Sequence, residues 1–263
     1  MAEDELKSLD KQKEDERLLK VYADEIRDLH LYKDKLFAII ARDIRGPFIP
    51  LLEFTEKLET QIQDMPIEEV KSLASMLNRS LKNHYNLLDN LHVWAKIQTG
   101  KMDFNPRETD VNLIIRGVIN NLSANSKKKD IIIENKLPFQ CKVRGDADML
   151  SIVFRNILAN AIKFSKSGGS IDIFKSDIDG GTKISIKDNG IGISSDDIDK
   201  LFKLNESTSR IGTAGERGTG LGLILCMEII VRHGGSIDVI SAPGDGTTFS
   251  VTLPLAELFG ETE

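Results

Sequence analysis

Apolar positions divide the chain into two textures. Over the first hundred residues they recur at spacings of three and four, with Gly46 the single glycine before Gly100. From Leu19 a seam runs through Tyr22, Ile26 and Leu29, is broken at Lys33, and resumes at Leu36 and Ile40. Alternating steps of three and four predict a coiled coil. Pro47 and Pro50 predict a bend or interruption, after which the helix resumes through Leu51, Leu52, Phe54, Leu58 and Ile62. Gln63-Asp64-Met65-Pro66 reads as a turn, with Pro66 suited to a helix first turn. A second helix extends to about Gln98, its seam being Leu73, Leu77, Leu81, His84, Leu88, Leu91 and Ala95. Two antiparallel helices with one seam each cannot bury both faces, so two copies forming a four-helix bundle, a homodimer, are expected.

Past Thr99-Gly100, which suits a helix C-terminus, the pattern alternates between period 2 and period 3.6. It predicts strands near 102–105, 131–135, 141–144, 170–176, 182–188, 236–241 and 247–253, and helices at 111–126, 147–164 and 221–233. Helices on one face of a mixed sheet make an α/β sandwich of the α+β class. The polar, glycine-containing stretch from Gly192 to Gly220 is long for a connection and reads as a mobile lid. The expected organisation is a coiled-coil linker at 1–30, a helical hairpin at 31–100 and an α/β sandwich domain at 101–263.

Composition removes several function classes. The net charge of −6 argues against non-specific nucleic-acid binding. Cys141 and Cys226 are far apart and outside any CxxC spacing, so neither a disulfide framework nor a zinc site is expected. There is no apolar run of 18 residues and no signal-peptide core, so no membrane segment is expected and the chain reads as soluble, either cytoplasmic as it stands or the cytoplasmic portion of a longer protein.

Four motifs carry chemistry. A strand runs into Asp188-Asn189-Gly190-Ile191-Gly192, where a carboxylate can accept a hydrogen bond from an exocyclic amine and glycines admit a planar ring. Gly218-Thr219-Gly220-Leu221-Gly222 precedes an apolar helix, whose first N–H groups suit phosphates. It has no Gly-Lys-Ser/Thr and no leading strand, so it is neither a Walker loop nor a dinucleotide fingerprint. Asn156 and Asn160 share one helical face with Lys163 and Phe164 close by. Amide oxygens suit Mg²⁺ and lysine suits phosphate. Gly244-Asp245-Gly246-Thr247-Thr248-Phe249 alone is a hairpin turn.

In chain order the paired asparagines, the Asp188 loop, the glycine-rich helix start and the turn at 244–249 resemble the ATP-binding domain of histidine kinases, gyrase-type topoisomerases, Hsp90 chaperones and MutL-type repair proteins. NAIKFS, GTGLGL and GTTF are similar to the histidine-kinase branch, over about residues 108–255. The resemblance implies ATP and Mg²⁺ as cofactors. Asp188 would bind the adenine amino group, helped by Gly190, Gly192 and Thr247. Asn160 would hold Mg²⁺, with Asn156 and Lys163 near the phosphates and Gly218, Thr219, Gly220, Leu221 and Gly222 lining them. Phe202 matches the lid phenylalanine of that family.

The stretch 36–48, LFAIIARDIRGPF, resembles the phosphoacceptor box, with Asp43, Arg45 and Pro47 in matching places, which extends the resemblance to about residues 30–255. It implies a two-component sensor kinase core that passes phosphate to a bundle residue and on to the receiver domain of a response regulator. The acceptor histidine position holds Arg42. Guanidinium has no available lone pair and stays protonated, and Asp43 cannot usefully deprotonate a group with a pKa above about 12. His30 precedes Arg42 by twelve residues, roughly 18 Å along a helix. His84 reads as a core or interfacial residue, and His233 as a cation complementing the end of the last helix. His92 lacks the surrounding box. The prediction is a core that binds Mg-ATP with self-phosphorylation blocked at Arg42. The alternatives are a response-regulator phosphatase or a nucleotide-gated signalling scaffold. A gyrase- or chaperone-type ATPase is disfavoured by the acceptor-like box.

Overall fold

The computed structural model describes Arg17, Leu19, Lys20, Tyr22, Ala23, Arg27 and residues 48–203, 210–216, 218 and 220–254. The coiled-coil positions Ile26, Leu29, Leu36 and Ile40, the acceptor-like residues Arg42 and Asp43, and Thr219 lie outside the described residues. The six described residues before position 48 are helical. Contacts divide the chain into two units, Met1–His84 and Tyr85–Glu263.

Helix α1 (residues 48–61), in the first unit, is joined by a turn at 62–66 to α2 (Ile67–Gln98), which runs from the first unit into the second. The expected helix thus ends one residue before Ile62, whose N–H still bonds to Leu58 O at 3.2 Å. Pro66 accepts from the N–H groups of Glu69 and Val70, starting α2 where the turn reading put it. Phe48 meets His84 edge-on at 4.6 Å and Lys57 pairs with Glu69 at 2.8 Å, which makes the two helices antiparallel. His84 is buried and its Nδ1 is 3.2 Å from Ser80 O. The seam of α2 is two stripes rather than one. Leu73, His84 and Leu87 are buried, whereas Leu81, Tyr85 and Leu88 remain exposed.

The second unit holds a five-stranded sheet in the order β2–β4–β5–β7–β6, with β2 (Ile132–Asn135), β4 (Ser170–Ile178), β5 (Gly181–Asp188), β6 (Ser236–Ala242) and β7 (Gly246–Pro254). β2 and β4 are parallel and the other pairs antiparallel. β1 (Arg107–Asp110) pairs with β3 (Lys142–Gly145) in a separate ribbon. Helices α3 (Val111–Lys128), α4 (Ala147–Phe164) and α6 (Leu221–Arg232) form the second layer, with α4 packed against both others. Asp110 and Asp146 cap α3 and α4 through their side chains. Ile171 and Ile173, Ile184 and Ile186, and Phe249, Val251 and Leu253 bury one sheet face against Val153, Phe154, Ile157 and Leu225. The mixed helical and α/β architecture agrees with the sequence pattern.

The strand expected at 102–105 is not paired; pairing starts at Arg107, after Pro106. Met102 and Phe104 do turn inward against the core, so the alternation there reports burial and not sheet. The stretch after Gly192 contains a short helix, α5 (Ser195–Ile198), that periodicity did not predict. Both cysteines are free and buried. No described helix is long and apolar enough to cross a membrane.

Candidate nucleotide site

Asp188 ends β5 directly opposite Thr247 in the β5–β7 register. It is 3% exposed, and its Oδ1 accepts from Gly190 N–H at 2.8 Å and Thr247 N–H at 3.2 Å. Oδ2 accepts no hydrogen bond from another described residue. Burial raises its pKa above the ordinary carboxylate value, and the two amides partly offset this. The result is a carboxylate held by one oxygen with the other available.

The glycines expected to admit a ligand ring also admit the protein's own backbone. A Cβ on Gly190 would stand 2.4 Å from Phe164 O, and one on Gly192, at φ +70°, 1.9 Å from Ala242 O. Phe164 O also accepts Ile191 N–H, so the Asp188 loop is tied to the C-terminal end of α4. A small hydroxyl network backs Thr247. Its Oγ1 is 2.9 Å from Ser241 Oγ, which donates to Gly246 O at 2.7 Å and accepts from Ile193 N–H at 2.9 Å. Sequence reasoning missed Ser241, whose role depends on the β6–β7 pairing that brings it opposite Thr247.

On α4, Asn156, Asn160 and Lys163 recur at i, i+4 and i+7 on one half-buried face. Asn156 Nδ2 donates to Ile152 O at 2.9 Å, and its Oδ1 faces Gly222, where a Cβ would lie 2.8 Å away. Gly222 thus lets the first turn of α6 approach the asparagine face. The Asn160 amide makes no hydrogen bond with another described residue, leaving a hard oxygen donor on that face. Gly220 is the N-cap of α6 at φ +73° with no side-chain cap, and Leu221 is buried behind it. Gly218 is half-buried just before this turn. Helix starts without side-chain caps suit anions.

Lys163 Nζ donates to Arg210 O at 2.9 Å and lies 4.6 Å from the centre of the Phe164 ring. Burial lowers its pKa to about 8, against the opposing pull of Glu216 and with a further push from Lys129. Phe202 is half-buried against the core in the turn after α5. Arg210 is ion-paired with Asp197 of α5. The Asp188 loop, the Arg210 carbonyl and Gly222 thus border α4 between Asn156 and Phe164.

His233 departs from its expected role. It is buried, and burial lowers its pKa. Nε2 accepts from Asp146 N–H at 3.0 Å while Nδ1 bonds Ile229 O at 2.7 Å. One ring nitrogen must accept and the other donate, so the imidazole is neutral and not a helix-end cation.

The profile of the histidine kinase-, DNA gyrase B- and HSP90-like ATPase family matches residues 145–257. Fold and match together define an ATP-binding domain of this class. The chain is 27% identical over 218 residues to the signal transduction histidine-protein kinase BaeS of Escherichia coli, covering 83% of this chain and 46% of that protein. It is 30% identical over 233 residues to the sensor protein SrrB of Staphylococcus aureus, covering 88% of this chain and 39% of that protein. The histidine kinase ThkA, solved in complex with the response regulator protein TrrA, shares the fold at a TM-score of 0.64. Its identity is 22%, with 87% of this chain and 63% of that one covered. The chain spans less than half the length of these two curated relatives. It carries the ATPase domain of this family and is similar to sensor histidine kinases over most of its length.

Proposed function

We propose that this chain is the Mg-ATP-binding core of a two-component sensor kinase, dimeric through its helical hairpin, with self-phosphorylation blocked at Arg42. The observation that carries the nucleotide reading is Asp188. A buried carboxylate held through Oδ1, with no described residue bonded to Oδ2, suits the exocyclic amine of adenine. Gly190, Gly192 and Thr247 shape the adenine end. Asn156, Lys163, Phe164 and residues 218–222 serve the phosphate end, and Phe202 closes on the nucleotide. Asn160 holds Mg²⁺, which neutralises charge on phosphate oxygens when bound. The protein's own contribution is positioning and fixed positive potential.

Residues 1–30 act as the signalling linker, 31–100 as the dimerising hairpin and 101–263 as the catalytic domain. The exposed stripe of Leu81, Tyr85 and Leu88 supports the homodimer, because water-facing apolar lines on a helix call for a partner. The complex of ThkA with TrrA supports a response-regulator receiver domain as the other partner, and the relatives' sensor names support a cytoplasmic portion of a longer protein.

The test is incubation with γ-labelled ATP beside Arg42→His and Asp188→Asn variants. Acid-labile label is expected only in Arg42→His, and nucleotide binding by calorimetry is expected to disappear in Asp188→Asn. Label on the unaltered chain sinks the assignment of Arg42 as a block. Binding without label in either chain favours a nucleotide-gated scaffold, and dephosphorylation of a labelled regulator favours a phosphatase. Unchanged binding by Asp188→Asn removes the adenine assignment.

A further inference from the structure

Lys129 is a buried cation that the nucleotide reading leaves unused. It caps the C-terminus of α3 and is 6% exposed. Its ammonium donates to Ile162 O at 3.0 Å, Lys163 O at 2.7 Å and Thr213 Oγ1 at 2.9 Å, and pairs with Glu216 Oε1 at 2.7 Å. Three N–H groups therefore serve four acceptors from two separate elements: the last turn of α4 and the segment 210–216. The same segment is fastened from its own side. Thr213 N–H donates to Lys163 O at 3.1 Å, and Thr213 Oγ1 donates to Ser165 O at 2.5 Å. Glu216 Oε2 accepts Ala214 N–H at 2.9 Å, and Gly212 N–H donates to Glu216 O at 2.7 Å. A Cβ on Gly212 would stand 2.4 Å from Glu216 Oε2 and 2.6 Å from Lys163 Cγ.

We infer that Lys129 is a positioning residue for the phosphate end of the site, latching segment 210–216 to the end of α4 through Thr213 and Glu216. The inference rests on the reading of Lys163 and residues 218–222 as the phosphate end. Lys129 grips the carbonyl of Lys163 itself and that of Ile162 before it, and the glycine turn begins two residues after Glu216. The adenine end hangs on other bonds: Asp188 to Gly190 and Thr247, and Ile191 to Phe164 O. Loss of the latch should therefore move one end of the nucleotide site and spare the other.

Stability alone is a poor reason for such a lysine. Taking an ion pair out of water is costly, and apolar residues of similar volume often serve as well. What an apolar residue cannot do is join two elements at fixed geometry through four acceptors. The charge has a second consequence. Lys163 is faced by Glu216, Lys129, the Phe164 ring and the Arg210 carbonyl, while the Arg210 guanidinium is paired with Asp197. Burial lowers the Lys163 pKa most and Lys129 lowers it further. Without Lys129, Lys163 should stay charged to higher pH.

The full chain tests this with Mg-ATP and with adenosine, titrated by calorimetry and NMR. Lys129→Met should weaken Mg-ATP binding at least about tenfold, or 1.4 kcal/mol, and adenosine binding less than about twofold. The alkaline fall in Mg-ATP affinity should move to higher pH. Thr213→Val keeps the side-chain shape, removes the hydroxyl and guards against a misfolded first variant. It should weaken Mg-ATP about two- to fivefold with adenosine unchanged. Equal losses for both ligands, or no loss in the folded variants, overturn the latch and leave the nucleotide reading standing. A wild-type chain that binds neither ligand overturns both.

Discussion

Gly246→Ala and Gly244→Ala make a matched pair within one hairpin. Both glycines have positive φ, +83° and +91°. An L-residue there costs about 1–2 kcal/mol in either case. The surroundings differ. A Cβ on Gly244 meets nothing within 4 Å, whereas one on Gly246 would stand 2.0 Å from Asp188 O and 2.9 Å from Asn189 Cα. Both obstacles are backbone, so β7 must move off β5 by more than about 1 Å before ordinary contact is restored. The Thr247 N–H to Asp188 Oδ1 bond, already 3.2 Å, does not survive that movement. Losing a hydrogen bond to a charged acceptor costs about 1.5–3 kcal/mol. The totals are about 1–2 kcal/mol for Gly244→Ala and about 2.5–5 kcal/mol for Gly246→Ala. At roughly 2–4 °C per kcal/mol for a domain of this size, the melting temperature should fall at least twice as far for Gly246→Ala. Circular dichroism melts measure this, and adenosine titration should find affinity reduced only in Gly246→Ala. Equal melting shifts, or unimpaired adenosine binding by a folded Gly246→Ala chain, would refute the claim that this glycine exists to let β7 reach Asp188.

Two further predictions concern pH. Mg-ATP affinity should fall as pH rises through about 8, where Lys163 loses its proton, and a weaker but flat profile is expected for Lys163→Met. The stability sign is opposite: between about 8 and 10.5 the unfolded chain binds more protons at this residue, so its destabilising burial is relieved as pH rises. His233, with its pKa depressed below 6.5 by burial, should cost stability as pH falls below 6.5, because the unfolded chain takes up the proton first. Urea denaturation at pH 7.5 and 5.5 measures this, and the same drop persisting in His233→Gln would exclude the imidazole as its source.

The sandwich domain was legible because its elements are local and strongly periodic. Asp110 and Asp146 stand immediately before apolar helical patterns, and the large apolar residues of β4, β5 and β7 that enter the core recur at every second position. The paired asparagines and the Asp188 loop were legible for a related reason: each motif is contiguous, and its chemistry follows from residue type and spacing within one element. Where periodicity failed, it failed for a definable cause. Met102 and Phe104 alternate because both turn inward, yet Phe104 spends that burial on the His233 ring at 4.9 Å and not on a neighbouring strand. Alternation reports which side faces the core, and a strand also needs a partner.

Lys129 marks the opposite limit. It is the last of three consecutive lysines, a pattern that reads as a solvated charge run. Lys127 and Lys128 fit that reading; both are exposed. One residue further, the chain leaves the helix and Asp130 takes a positive φ of 53°. The Lys129 side chain is turned beneath segment 210–216, and the four acceptors of its ammonium are 33, 34, 84 and 87 residues away. No window of sequence contains both the cation and what it holds. His233 behaves alike, since the amide that fixes its protonation belongs to Asp146, 87 residues earlier. Contiguous motifs name the groups proposed to meet a ligand, whereas the groups that hold those motifs in place are set by long-range contacts. Buried ionisable residues with distant partners are therefore where a structure adds most to a sequence of this family.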